Sequence, residues 1–573
     1  MTVQKPPYRE LLDALRRQFP QPVSDPVHDA YVVDSVRQAL DRVDALKGQT
    51  PMLGLPRDPD FAAAGQAQIS ETPQTLEQVI AELVSRMEGM FVWGHPKSQL
   101  NVIPPPSIAS LIGVLLASAY NPNLCSEESG RGFSAVEVQA AAMAARLVGY
   151  DPGQSAGLFT FGGTGCMLYA IKVGLEKAQP GCLQEGVRPG AVVLASRAGH
   201  YSALNVAAWL GLGQRHVLLA PCNDDDSVCV EALAQTARRV LSEGRPIAAI
   251  VATLGSTDAF GLDDLQALDA LREELVREFS LGYRPHLHAD AVIGWAWAAF
   301  NDYDFERNEL GFRRRTLCAL ATAHERIRQL PLADSIGIDF HKTGYAPYIS
   351  SLVLFRDRRD LDLIRRSRET APYLYQSGEH HPGTYTLETS RGGAGPMAAL
   401  ANLLQFGKQG LRTLLGHAVE MAEILRDELQ GCGELAVLNG GNVGGVTLFR
   451  VYPSGADAAA VLAREYGDAS YQSQVAVHNR LNRLVFERLH ADALAGRGVL
   501  LSMTDCYRPT EHGSPLAAIK SYVLSPFSDE TEMRSVLSSV LAARDVVLKG
   551  PSFSLDRPFN SGCETRTSTS DRS

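Results

Sequence analysis

The segment Asp334-Ser335-Ile336-Gly337-Ile338-Asp339-Phe340-His341-Lys342 is an apolar-rich run that ends on a lysine, with a turn-prone stretch at 343–347 behind it. A lysine kept from water has a lowered pKa, and its free amine can attack a carbonyl to form an imine. Taken alone, His341-Lys342 reads better as a surface lysine. Upstream, Pro285-His286-Leu287-His288-Ala289-Asp290-Ala291 is a short apolar run that closes on a carboxylate. A buried Asp290 could pair with a protonated ring nitrogen and make that ring a better electron sink. The plainer reading of an aspartate after a strand is a cap for the next segment.

Two further segments invite chemistry. In Gly157-Leu158-Phe159-Thr160-Phe161-Gly162-Gly163-Thr164-Gly165, small residues lead into a helix predicted over 166–178. Such a turn lets backbone N–H groups approach a phosphate at a helix N-terminus, and Thr164 adds a hydroxyl. It lacks the Lys-Ser/Thr ending of a nucleotide-binding loop, and capping alone would also explain it. In Ala198-Gly199-His200-Tyr201-Ser202, a histidine follows the apolar run 191–195 and could stack on a flat ring. A loop histidine satisfied by its neighbours is the alternative.

These residues need elements to hold them. Short β-prone runs at 191–195, 248–253, 286–288 and 351–355 alternate with helical patterns at 135–148 and 264–279. In the second helix Leu265, Leu268, Leu271 and Leu275 recur at helical spacing. Strands alternating with helices predict an α/β fold whose mostly parallel sheet is covered on both faces. The expected organisation is a helical N-terminal segment over 1–115, a large domain over 116–400 and a smaller α/β domain over 401–550. The Ser/Thr-rich tail 551–573 reads as disordered. In the small domain, helices are expected at 397–406 and 411–429 and a strand at 446–451.

Composition excludes several classes. Across 573 residues, 64 acidic side chains outnumber 54 basic ones, for a net charge of −10 and a pI near 5.8. That balance argues against a nucleic-acid surface. The nine cysteines are scattered without a CxxC pair, which suits a reducing compartment and gives no metal knuckle. The stretch 108–120 is too short to span a bilayer, and residues 1–9 lack a leader pattern. A cytoplasmic protein with neither membrane nor nucleic-acid partners is the expectation.

In this order the motifs resemble the group II pyridoxal-phosphate-dependent amino-acid decarboxylases, the family of glutamate and aromatic-amino-acid decarboxylases. The resemblance runs from about His95 to Phe527. It takes in the Gly-Gly-Thr turn, His200-Tyr201-Ser202, Gly211-Leu212-Gly213, Thr253-Leu254-Gly255-Ser256-Thr257, His288-Ala289-Asp290-Ala291 and Asp334-Ser335 through His341-Lys342. It implies a large domain of the aspartate-aminotransferase type (fold type I) and a homodimer. It also implies pyridoxal 5'-phosphate as cofactor, and loss of CO2 from an amino acid to leave an amine. Lys342 would carry the cofactor as an imine, with Asp290 opposite the pyridine nitrogen. His200 would stack on the ring, and Thr253 and Ala291 would line it. Gly163, Thr164 and His341 would hold the phosphate, helped by Ser335. In 371–376, Tyr373 matches the loop tyrosine that returns a proton to the substrate, with Tyr375 in reserve. His95-Pro96 and residues 101–106 resemble the stretch that lines the substrate pocket across the dimer interface.

The chain also departs from that pattern. Gly165-Cys166-Met167 stands where the family has a Glu-Ala-Asn-like run, and 301–330 is an apparent insertion with a helix expected at 315–328. Lys520 stands where glutamate-type enzymes often carry an arginine for the substrate carboxylate, and lysine offers no planar fork. Lys520 and Arg391 both remain candidates for that carboxylate. The same scaffold can also house an oxygen-consuming aldehyde synthase or a silent binding protein. A tyrosine at 373 favours plain decarboxylation, and the filled cofactor positions count against a silent scaffold.

Overall fold

The computed structural model describes residues 7–370 and 374–550. Strands β1 (Ala156–Thr160), β2 (Val192–Ser196), β3 (Val217–Ala220), β4 (Ile247–Thr253), β5 (His286–Asp290), β6 (Ser335–Asp339) and β7 (Ser351–Phe355) form one sheet. Their order is β1-β7-β6-β5-β4-β2-β3, and β7 alone runs against the rest. Every residue of β2, β4, β6 and β7 is buried, as expected of strands covered on both faces. The α/β class and the mostly parallel sheet expected from sequence are therefore present.

The sheet's helices begin where sequence puts their caps. Asp264 accepts from the Ala267 N–H at 3.1 Å and starts the helix Leu265–Glu278. The helix Gly163–Ala178 starts instead on Gly162, whose φ of 110° suits only glycine, and no side chain caps it. The insertion at 301–330 carries the expected helix, Arg314–Ile327, tied to the next domain by Thr316 Oγ1 donating to Glu423 Oε2 at 2.8 Å.

The expected boundary at 400/401 falls within the helix Ala394–Gly431, whose break lies at Gly407 (φ 54°, ψ −167°). Beyond it, β8 (Leu435–Val437), β9 (Val446–Val451), β10 (Ser502–Pro509) and β11 (Pro515–Tyr522) form an antiparallel sheet in the order β10-β11-β9-β8. Residues near 99 tie into it, since the Tyr522 N–H donates to the Gln99 carbonyl at 3.0 Å. The tail 551–573 lies outside the described residues.

The helices Pro7–Arg16, Pro26–Asp44 and Leu76–Ser85 bury no residue. In the helix Ile108–Tyr120 burial is inverted: Ser110, Gly113 and Ala117 face inward, while Ile108, Leu111, Ile112, Leu115 and Leu116 are exposed. The inward face must be small, because a Cβ on Gly113 would stand 2.8 Å from the Met397 carbonyl oxygen. Among the described residues no helix is long and apolar enough to cross a membrane.

Candidate active site

β1, β2, β4, β5 and β6 all point their carboxyl ends to one edge of the sheet, the usual ligand edge of an open α/β fold. Asp290 is the last residue of β5 and Thr253 the last of β4. Lys342 lies three residues beyond β6, His200 four beyond β2, and Gly163 and Thr164 three and four beyond β1.

Lys342 Nζ bonds Asp339 Oδ2 at 2.9 Å. Burial pulls the ammonium's pKa down, but Asp339 and then Asp290 outweigh it, and the net position is above the ordinary value. The lowered pKa expected from sequence is therefore corrected: two buried carboxylates hold this amine as a cation. Burial pushes the Asp290 carboxyl up, against the opposing pull of Lys342 and His200. His200 is exposed, yet loss of water on its protein side keeps its imidazole below the usual range. Its Nδ1 accepts from the Ser202 N–H at 3.2 Å.

The first turn of the helix Gly163–Ala178 forms a cradle. A Cβ on Gly163 would lie 3.0 Å from Val292 Cγ1 and 3.2 Å from Asp339 Oδ2, and one on Gly165 would collide with Thr160 Oγ1. That Thr160 hydroxyl is buried with no hydrogen-bond partner among the described residues. Uncapped amides and the open space at Gly162, where a Cβ would meet nothing within 4 Å, suit a phosphate, while Gly163 and Gly165 are held to glycine by the protein packed against them. His341 is buried beside this turn, with Nδ1 3.1 Å from the Ser350 carbonyl and Nε2 3.5 Å from Asp339 Oδ2.

Thr253 and Ala291 are buried at the strand ends, and Thr253 Oγ1 would lie 3.2 Å from a Cβ on Gly199, close beneath the turn that carries His200. Thr253 is itself braced. Its N–H donates to Asp263 Oδ2 at 2.7 Å, and the Val228 N–H donates to Asp263 Oδ1 at 2.6 Å. Complete burial raises the Asp263 carboxyl from 3.8 to about 7. A carboxyl raised on folding binds its proton more tightly in the folded state, so its stabilisation is full below about pH 4 and fades as pH climbs through 7. The stability advantage of wild type over Asp263→Asn in urea should accordingly shrink between pH 4 and 7. An advantage that stays constant over that range would contradict this.

Other expected residues lie elsewhere. Ser335 opens β6 at the far end from Asp339, and its hydroxyl is bonded to His286 Nε2 and His288 Nδ1, each at 2.8 Å. It is therefore not brought to the phosphate turn, because five residues of extended strand separate the two ends. Tyr373 lies outside the described residues, and Tyr375 packs inward beside His381, ring centroids 5.3 Å apart. Neither candidate cation for the substrate carboxylate is unpaired. Lys520 Nζ bonds Asp258 Oδ1 at 2.8 Å, and buried Arg391 is bonded to Glu137 and to the Leu124 and Phe159 carbonyls. Asp339 received no role from sequence, although it closes an apolar run just as Asp290 does.

Comparison with known proteins shows what the chain is similar to. The profile of the family described as pyridoxal-dependent decarboxylase conserved domain matches residues 60–451. The chain is 25% identical over 465 residues to an L-2,4-diaminobutyrate decarboxylase of Acinetobacter baumannii, covering 78% of this chain and 80% of that one. It is 24% identical over 455 residues to an aspartate 1-decarboxylase of Aliivibrio fischeri, covering 75% and 74%. The solved structure of Oryza sativa TDC with PLP and tryptamine superposes with a TM-score of 0.73 at 17% identity, over 92% of this chain and 99% of that one.

Proposed function

Since the chain belongs to the pyridoxal-dependent decarboxylase family, we propose how its own residues divide the removal of a carboxylate from an amino acid. The enzyme is a pyridoxal-phosphate-dependent amino-acid decarboxylase that releases CO2 and an amine. Pyridoxal phosphate, when bound, supplies a conjugated ring that takes up the electron pair left behind as CO2 departs.

Lys342 would anchor the cofactor through Nζ and give up that bond to the incoming amino group. Asp290, fixed at the end of β5, would hold negative charge against the ring nitrogen. Gly163 and Thr164 would offer amides and a hydroxyl to the phosphate, with His341 beside them. Thr253 and Ala291 would wall the ring, and His200 would cover its face. Tyr373 would protonate the substrate's α-carbon once CO2 has left. The observation that carries this reading is the convergence of Lys342, Asp290 and the uncapped glycine turn on one edge of the sheet.

A homodimer is part of the proposal. The exposed apolar side chains of the helix Ile108–Tyr120 and the unburied N-terminal helices present more apolar surface than a lone subunit usually leaves in water. The scattered thiols, free in every described case, support a cytoplasmic location as part of the same reading. The two relatives act on amino acids with side chains of opposite charge, so the test is a substrate panel that includes both. Protein supplied with cofactor should acquire a visible absorbance band and release CO2 and amine in equal amounts from one member. Aldehyde with peroxide would assign it to the oxygen-consuming branch, and neither band nor CO2 would leave a silent scaffold.

A further inference from the structure

From Tyr375 to His380 the backbone is held by two carboxylates of one short helix, Glu127–Gly130. Glu128 Oε1 accepts from the Tyr375 N–H at 3.0 Å. Its Oε2 accepts from the N–H groups of Gln376 at 3.1 Å and Ser377 at 2.9 Å, and from Ser377 Oγ at 3.1 Å. Glu127 Oε2 accepts from the N–H groups of Glu379 at 2.8 Å and His380 at 3.2 Å. The Glu127 N–H in turn donates to the His380 carbonyl at 2.8 Å. Neighbouring N–H groups turned to one side make a concavity for an anion, and each bond to a carboxylate is charge-assisted. The same bonds keep both carboxyls below their ordinary range, led by the Glu379 N–H at Glu127 and the Ser377 N–H at Glu128.

Both sides of this contact are shaped for it. Gly378 has a φ of 83°, and a Cβ there would lie 2.6 Å from the Glu127 carboxyl carbon, so the turn admits only glycine. Tyr375 is buried, with its ring beside His381. Below the glutamates, Ser126 is buried and the Gly383 N–H donates to the Cys125 carbonyl at 2.8 Å. The Leu124 N–H donates to the carbonyl of Arg391, whose guanidinium is paired with Glu137 of the helix Gly132–Val148. A surface turn ordinarily leaves such N–H groups to water. Here two acidic side chains are committed to one six-residue stretch, and that stretch begins two residues after Tyr373.

We propose that Glu127 and Glu128 are positioning residues for proton return: they fix Tyr375–His380 as the anchor from which the chain reaches residue 373. The role rests on the reading of Tyr373 as the proton donor, and it makes Tyr375 part of the anchor. A donor misplaced by about 1 Å loses up to roughly 10^2-fold in rate. The electron pair left by CO2 then has time to take its proton on the cofactor's imine carbon instead of the substrate's α-carbon. Hydrolysis of that product consumes one water and gives an aldehyde, two electrons poorer than the amine, and the cofactor as its amine, two electrons richer. CO2 is released on either route, so the amine recovered per CO2 reports where the proton went.

Hydrogen exchange in cofactor-free protein reads the anchor apart from the chemistry. Glu128→Ala should speed exchange of the 375–377 amides by about tenfold or more and leave those of 379 and 380 near wild type, and Glu127→Ala should do the reverse. Glu127→Gln should exchange like wild type, because one oxygen makes both bonds there. Glu128→Gln turns one of two accepting oxygens into a donor and should release part of 375–377. In loaded enzyme Glu128→Ala should lower kcat about tenfold with KM little changed. It should also return less than one amine per CO2, the difference appearing as aldehyde without peroxide, and Glu128→Gln should do so in smaller measure. Unaltered exchange at 375–377 in Glu128→Ala would overturn the proposal, as would faster exchange with wild-type kcat and one amine per CO2. A Tyr373→Phe enzyme with wild-type kcat and one amine per CO2 would instead remove Tyr373 from the reaction, and the anchor would be structural only.

Discussion

Replacing Lys342 with alanine should abolish turnover, by about 10^4-fold or more, and leave the cofactor removable by dialysis. That loss corresponds to about 5 kcal/mol of barrier. The expectation rests on Lys342 being the amine held at the carboxyl edge of the sheet by Asp339 at 2.9 Å, within the field of Asp290. Alanine also strands two buried carboxylates, so lost activity could reflect lost folding. Lys342→Arg separates the two. The guanidinium keeps a cation against Asp339 but is no nucleophile at any working pH. The arginine variant should fold with near wild-type stability, bind the cofactor without a covalent link and remain inactive. Turnover within about tenfold of wild type in either variant would remove Lys342 from the chemistry.

Much of the site was legible because its residues close apolar runs. Asp290, Lys342 and the glycine turn each stand where a β-prone segment stops, and the structure gathers those stops at one edge. Side-chain direction was less legible. Ser335 lies seven residues before Lys342 in one motif, yet the strand between them carries it to the opposite end of the sheet. The charge state of Lys342 could not be read either. It depends on Asp339, whose carboxylate is turned toward the amine and also accepts from Ser351 Oγ at 2.6 Å on the neighbouring strand. Pairings distant in sequence, such as Lys520 with Asp258 and Arg391 with Glu137, leave no trace in local pattern.

The long helix shows the same division. Its two halves were legible as 397–406 and 411–429 because each repeats apolar residues at helical spacing. The break between them falls at Gly407, whose positive φ of 54° interrupts the helical path, and Met397 in the first half packs against Gly113, a contact 284 positions away in the chain. The inverted burial of the helix Ile108–Tyr120 was hidden for a related reason. Its sequence is apolar on every side, so only the close approach of its neighbour selects the small face for the interior.

Asp290→Asn preserves shape and removes charge, and it should lower kcat on the order of 10^3-fold with little change in KM, comparable to the loss of a preorganised charge-stabilising group. The alternative is that Asp290 serves only to hold the Lys342 ammonium. Geometry separates the two roles. Asp339 lies 2.9 Å from Lys342 Nζ and heads the influences that raise it, whereas Asp290 acts on it at longer range. The asparagine variant should therefore keep Lys342 paired, and should bind the cofactor covalently while failing to turn it over. Asp339→Asn should do the reverse, weakening attachment first. If Asp290→Asn retains kcat within about threefold, charge at that position is not what strengthens the ring. If it loses the covalent link together with activity, Asp290 belongs to the lysine rather than to the ring nitrogen.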